Sequence, residues 1–325
     1  MPRSAWFAVP LTIVALVAAA CSSSSGGKGS VSSSTTPSSS SSQPSSSAVK
    51  SSAPATSSKP APPAKPVHVE GFPDGTQVGV GMPIIATFNK KITSATAFAK
   101  DTTVTVNGQP ANGGWYFEYS DPASGHVMEA HYREQNYWPA HAHIHVTFNL
   151  KGVSAGPGLA FDGALTSLDF TTGPANIVTV NDATHQLTVT SDGQPWGSPM
   201  PVSLGASNTP TANGTKVIME KGVSICMSGP GYDECGIKYT QRLTYGGEYL
   251  HAAPWNTYNI AHGIDSSNGC TNLYTTDAEK LYNFLEIGDV VRYPNASGPA
   301  MTMGQGYGDW NVNWTLWQTG GALST

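Results

Sequence analysis

Beyond residue 66 the chain alternates apolar and polar positions in short runs. Val78, Val80 and Met82, then Ile84, Ala86 and Phe88, repeat with the period of two that puts side chains on one face of a strand. Thr103-Val104-Thr105-Val106 leads into Asn107-Gly108, a dipeptide that favours the tight hairpin turn. Ile144, Val146 and Phe148 alternate again, and Leu165 to Phe170 reads as one more short strand. Short strands separated by turn signals predict a β-sandwich, ending near Thr172-Gly173-Pro174. Ile177–Val180 and Leu187–Thr190, the latter before Asp192-Gly193, predict hairpins that open a second β-domain. Further strand-like pieces fall at Met200–Leu204, Lys216–Met219 and Arg242–Tyr245. One helix interrupts the pattern: Thr276-Asp277-Ala278-Glu279 has capping-box form, and Ala278, Leu281, Tyr282 and Leu285 make its apolar face. Gly288-Asp289-Val290-Val291 returns to strand. The expected fold class is mainly β, a sandwich followed by a β-rich domain carrying a short helix.

Residues 1–66 follow no such period. Met1-Pro2-Arg3 precedes an apolar run from Ala5 to Ala20, too short to span a bilayer comfortably and typical of a signal peptide. It ends in Ala18-Ala19-Ala20-Cys21, which resembles a bacterial lipoprotein signal, although Ala18 stands where Leu, Val or Ile is usual. The resemblance implies cleavage before Cys21, acylation of that residue and a membrane lipid anchor. Residues 22–66 hold 20 Ser and 7 Pro and no aromatic residue, a composition that cannot offset its ordering entropy. They read as a tether with a span of roughly 35–40 Å.

Charge sharpens this division. Only 11% of the 325 residues are charged, partly because the tether is so poor in charge. Residues 1–66 carry five basic and no acidic residues; the rest carries 11 basic against 21 acidic, so nucleic acid is not an expected partner. No metal or nucleotide motif appears, and no cofactor is expected. His141, His143 and His145 alternate along one expected strand face, but positions two apart lie about 6.8 Å from one another, too far for all three to converge on one ion. They read as a solvent-facing row opposite Ala142, Ile144 and Val146.

Four cysteines remain to be placed. With Cys21 acylated, three lie outside the cell, where thiols normally pair. Cys226 and Cys235 flank Gly229-Pro230-Gly231 and could meet across a turn, which would leave Cys270 as an unpaired, reactive thiol. Pairing of Cys270 with either of the others, or a buried structural Cys270, stays open. Gly269 allows a close backbone approach to substrate, and His251 and His262 lie upstream as candidate bases for a thiol.

Leu250-His251-Ala252-Ala253-Pro254-Trp255, followed by Ser267-Asn268-Gly269-Cys270-Thr271-Asn272, resembles the L,D-transpeptidase signature of His, spacer, Ser or Thr, His, Gly, Cys, any residue, Asn. Gly81-Met82-Pro83-Ile84 and Tyr137-Trp138-Pro139-Ala140 resemble the immunoglobulin-like domain that precedes the catalytic domain in actinobacterial members. Asn213-Gly214-Thr215 and Met219-Glu220-Lys221 resemble the start of the catalytic domain, and Gly308-Asp309-Trp310-Asn311 with Trp314 and Trp317 the C-terminal subdomain. The implied division is a signal peptide (1–20), a lipidated Cys and tether (21–66), an immunoglobulin-like domain (67–173), a catalytic domain (174–300) and a Trp-containing C-terminal subdomain (301–325).

The resemblance implies a ping-pong acyl transfer. Cys270 attacks a tetrapeptide stem and releases D-Ala, and a diaminopimelate amine of a second stem resolves the thioester into a 3→3 cross-link. His251 is then the base and later the acid, and the Ala252 carbonyl orients its ring. Amides at Gly269 and Cys270 bind the oxyanion. Tyr232 falls near the tyrosine of the substrate lid, while Ser267, Asn268 and Asn272 shape the site. A Cys226–Cys235 bridge would stiffen the lid. Carbapenems are implied as covalent inhibitors, and the outer face of the cytoplasmic membrane, in the cell-wall space, as the location. One departure stands out: the second motif His is Asn268 here, which can hydrogen-bond but cannot take a proton. Activity is expected nonetheless, because the upstream His pairs with the Cys. Hydrolysis of the same acyl-enzyme by water, attachment of a protein amine, and a non-catalytic wall-binding module are the alternatives. A papain-like arrangement does not fit, since it places the Cys before the His.

Overall fold

The computed structural model describes residues 62–120, 127–229 and 232–323. The expected signal peptide, Cys21 and residues 22–61 of the tether lie outside them. The first half is a sandwich. One sheet orders Val69–Phe72, Ile84–Phe88, Met128–Glu134 and Gly113–Glu118; the other orders Gln77–Val78, Ser167–Thr172, His143–Phe148, Thr102–Val106 and Gln109–Pro110. Inward-facing alternate residues of both sheets build a shared core. Phe98, on the short helix Thr96–Lys100, lies at its centre against Phe88, Trp115, Phe117, Phe148 and Phe161, with ring centroids 5.1–6.2 Å apart. Asn107 and Gly108 both take positive φ, 51° and 77°, as a type I′ hairpin turn requires.

Three local expectations change. Alternation ran unbroken from Val78 to Phe88, but Gly79–Pro83 leaves the strand. There the backbone presses against the second half, with Gly79 N–H donating to Ile287 O (2.8 Å) and Gly81 N–H to Gly288 O (2.9 Å). A Cβ on Gly79 would sit 2.1 Å from Asp289 N, so only glycine permits this approach. The sandwich also starts earlier than expected: Lys65–Val67 pairs in parallel with Leu159–Phe161, taking the last residues assigned to the tether. Pro66 is tolerated there because an edge strand leaves some N–H groups unused. Finally, His141 is not in the histidine row. It sits in a turn at φ 55° and meets Asp192, while His143 and His145 share Asp169 from their strand.

The second half is one nine-stranded sheet, curved as a β half-barrel. Its order is Gly214–Val217, Val290–Tyr293, Asn176–Asn181, Gln186–Ser191, Gln194–Ser203, Thr271–Leu273, Tyr249–Ala252, Tyr232–Arg242 and Glu220–Gly229. The helix Thr275–Phe284 buries Ala278 and Leu281 against the sheet. Its capping box does not form. The helix begins two residues earlier than the box requires, at Thr275 with Tyr274 as its N-cap, so Thr276 lies inside the first turn instead of capping it. The long hairpin Glu220–Arg242 was not expected as strands, although Val223, Ile225 and Met227 alternate along its first strand.

The C-terminal segment clamps both halves. Asn311 exchanges hydrogen bonds with the Thr215 backbone (2.8 and 2.7 Å), and Trp317 Nε1 donates to Gly114 O (2.8 Å). Arg133 reaches across from the sandwich, its guanidinium over the rings of Trp310, Trp314 and Trp317 at 4.2–5.4 Å. The tryptophans singled out from sequence thus pack around a buried arginine. Beside them Glu118 and Glu129 are directly paired across adjacent strands, normally an unfavourable pairing. His131 compensates. Its Nε2 lies 3.1 Å from Glu129 and 3.9 Å from Glu118, and its Nδ1 2.9 Å from Asp309 of the C-terminal segment. Asp309 and its neighbours raise the pKa of His131 against the opposing effect of burial, and burial pushes Glu118 up to about 7.

Candidate active site

The two middle strands of the large sheet bring the expected residues together. Tyr249–Ala252 and Thr271–Leu273 are parallel neighbours, with His251 in register with Asn272. Cys270 stands at the entry to the second of these strands. It is the free cysteine of the described residues. Cys226 and Cys235 are bonded to each other, as cross-strand partners in the Glu220–Arg242 hairpin.

His251 and Cys270 open onto one cavity of about 310 Å³, lined also by Met227, Glu234, Ile237 and Trp255, by Asn256 and Asn259, and by Ser266, Ser267, Asn268 and Asn272. Met227 and Glu234 adjoin the disulfide, so the bridged hairpin forms one wall. The backbone of Tyr232 lies at the hairpin tip; its side chain lies outside the described residues. Asn272 lines the cavity, and its Oδ1 is buried beneath the surface without a hydrogen-bond partner. Trp255, largely exposed, stacks over His251 at 6.0 Å. His262 takes no part: it ends the helix Thr257–His262, stacked on Tyr258.

The electrostatics favour a neutral pair. Ala252 O accepts from His251 Nδ1 at 2.9 Å. A carbonyl can only accept, so the proton is fixed on Nδ1 and Nε2 is left as the basic nitrogen. Burial lowers the ring's pKa, against a smaller opposing effect of that hydrogen bond. Burial pushes the Cys270 thiol up to about 12, partly opposed by the Tyr249 amide N–H on the sulfur. The thiol donates to Gly247 O at 3.5 Å. At rest the site therefore holds a thiol and an imidazole, both uncharged.

The loop that carries Cys270 is held from beneath. Ser267 Oγ donates to Cys270 O (2.6 Å) and accepts from Gly269 N–H (3.1 Å), so an oxyanion taking the Gly269 amide must displace Ser267. Thr209 Oγ1 donates to Ser267 O (2.8 Å), and Thr211 Oγ1 to Gly269 O (2.9 Å). Gly269 has φ 104°, which an L side chain rarely adopts. Asn268 is exposed at the rim. Sequence reasoning missed Asn256, Asn259 and Ser266, a hydrogen-bonded group beside the cavity, because they carry no spacing signal. It also missed Lys216 and Glu248 behind the loop, although a lysine inside an apolar strand was a visible clue.

Comparison with known proteins follows the same lines. A family model for the L,D-transpeptidase catalytic domain matches residues 175–292, and one for a bacterial Ig domain matches residues 31–154. L,D-transpeptidase 2 of Mycobacterium tuberculosis is 30% identical over 258 residues, covering 77% of this chain and 60% of that protein. The probable L,D-transpeptidase 3 of the same organism is 31% identical over 245 residues, covering 67% of this chain and 82% of that protein. The structure of an L,D-transpeptidase in complex with imipenem superposes with a TM-score of 0.56 at 26% identity, covering 72% of this chain and 100% of that one. The chain spans 60% and 55% of the lengths of L,D-transpeptidases 2 and 5 of M. tuberculosis.

Proposed function

The chain belongs to the L,D-transpeptidase family, and from that premise we propose that it joins peptidoglycan stem peptides into 3→3 cross-links through an acyl-enzyme on Cys270. The observation that carries this reading is the free thiol of Cys270 and the Nδ1-protonated, neutral His251 opening onto one cavity from adjacent parallel strands. A neutral imidazole accepts the thiol proton through Nε2 as sulfur attacks the carbonyl before the terminal D-Ala. The same ring then protonates the leaving amine. The stem is held as a thioester until a diaminopimelate amine of a second stem gives up a proton to His251 and takes the acyl group. Asn272, in register with His251 on the neighbouring strand, lines the same cavity. Cys21, outside the described residues, supplies a lipid anchor that holds the enzyme on the outer face of the cytoplasmic membrane, in the cell-wall space.

The neutral resting pair explains how a thiol with such a high pKa can react: ionisation is coupled to attack rather than preceding it. Intact-mass spectrometry with a carbapenem and with a disaccharide tetrapeptide tests the proposal. Wild type should gain one carbapenem adduct and release D-Ala, and Cys270→Ala should do neither. A wild-type protein with no adduct and no D-Ala release would sink the reading. Muropeptide analysis then separates cross-linking from hydrolysis.

A further inference from the structure

Behind the nucleophile loop lies a buried ion pair that the proposed chemistry leaves unused. Lys216 comes from the edge strand Gly214–Val217 and is fully buried, and its ammonium bonds Glu248 Oε2. The same ammonium sits 4.0 Å over the ring of Tyr293, whose hydroxyl pairs with Thr271, the residue after Cys270 (2.7 Å). Glu248 Oε1 accepts from Ala212 N–H at 2.8 Å, next to Thr211, which holds the Gly269 carbonyl. Glu248 is also flanked by the two backbone groups on the sulfur, the Gly247 carbonyl and the Tyr249 amide. Its side chain passes within about 4 Å of where a Gly269 Cβ would stand.

A buried pair of this kind is costly to desolvate and gives little net stability over apolar residues of the same size. Its location gives it another use. We infer that Lys216 and Glu248 are positioning residues for Cys270: the pair fixes the 247–249 backbone that cradles the sulfur and sets two opposed charges behind it. The cation favours the thiolate as it develops, and the anion keeps the resting sulfur protonated. This rests on Cys270 being the nucleophile, and it adds a second layer to a site whose exposed rim carries Asn268 where the family motif has a His.

The test is the pH dependence of iodoacetamide alkylation at Cys270, read by peptide mass in the full-length protein, with unfolding temperature measured alongside. Lys216→Met should move the alkylation midpoint up and Glu248→Gln should move it down, each by about one pH unit, or tenfold in rate at a fixed pH below the midpoint. A purely structural role would loosen the site in both variants and move the midpoint the same way in each. If Lys216→Met does not fold, the neutral double variant Lys216→Met/Glu248→Gln keeps the volume without a lone charge. Its midpoint should lie above that of Glu248→Gln, and its kcat for a tetrapeptide donor should fall with KM unchanged. Equal midpoints for the double variant and Glu248→Gln, or single variants that shift together, overturn the inference. Alkylation needs no stem peptide, so a protein that shows these shifts but turns over no tetrapeptide refutes the proposed function and leaves this inference standing.

Discussion

Two buried histidines in two regions of this molecule meet opposite fates. His131, between the sandwich and the C-terminal segment, is 1% exposed; His251, in the catalytic cavity, is 5% exposed. Burial alone disfavours the charged ring in both. At His251 burial outweighs the opposing hydrogen bond to the Ala252 carbonyl, so the ring is held neutral. At His131 the carboxylates of Asp309, Glu129 and Glu118 outweigh burial, so the ring is a held cation. Protonation is thus decided by burial set against the charges the fold assembles around each ring: His251 has none to offset it, whereas His131 has Asp309 brought in from the C-terminal segment and fastens two parts of the protein together.

The largest expected effect breaks the catalytic side of this contrast. His251→Gln keeps a hydrogen bond to Ala252 but cannot accept a proton, so carbapenem acylation of Cys270 should slow by about 10²–10⁴-fold. Unfolding temperature should hardly change. A variant acylated within a few-fold of wild type would show that His251 is not the base.

His131→Gln breaks the other side. It leaves buried carboxylates without their cation, at a cost on the order of 3–5 kcal/mol in unfolding free energy near neutral pH. Acylation per folded molecule should be unchanged. Chemical denaturation combined with burst titration separates the two, and a variant as stable as wild type would mean that His131 carries no charge.

A smaller effect sharpens the comparison through pH. Glu118 titrates at about 7 in the fold, above its ordinary value of 4.5, and His131 is raised above 6.5. Groups raised in the folded state bind more protons there than when unfolded, so their stabilisation is complete below the unfolded pKa and is lost as pH rises through the folded value. Unfolding temperature should therefore fall between pH 5 and pH 8. Asp289, pushed up to about 7 by burial, adds in the same direction. Glu118→Gln should flatten the profile by about 2 kcal/mol. Calorimetry across that range checks it, and a profile that rises with pH would contradict the assignment.

The smallest effect concerns Asn268. It is exposed at the rim of the cavity, and the proposed proton transfer from Cys270 to His251 does not use it. Asn268→His should change the acylation rate by less than about tenfold, measured by stopped-flow fluorescence with a carbapenem.

Much of the site was legible before any coordinates. The His251 and Cys270 segments carry their chemistry in residue type and order, and Cys226, Cys235 and Cys270 divided into a bridged pair and a free thiol along lines that local geometry allowed. Lys216, Glu248 and the Glu118–Glu129–His131 group were not legible, because their meaning lies in pairing. Glu129, His131 and Arg133 alternate along a strand whose polar face should meet water, and only the C-terminal segment packed over it makes that face an interior. The Glu220–Arg242 hairpin differs: Val223, Ile225 and Met227 alternate along its first strand, but that face stays exposed or half-buried.

Sequence by itself determined a mainly β protein, the turn chemistry of Asn107-Gly108 and Asp192-Gly193, and a histidine and a cysteine set at the spacing of one family, because backbone preference, side-chain alternation and residue chemistry act locally. Tertiary structure alone decided that Gly79–Pro83 would press against the second half and leave its strand, that one buried histidine is neutral and the other charged, and that a lysine and a glutamate meet behind Cys270. These depend on desolvation and on charges from segments far apart in the chain, which no local pattern encodes.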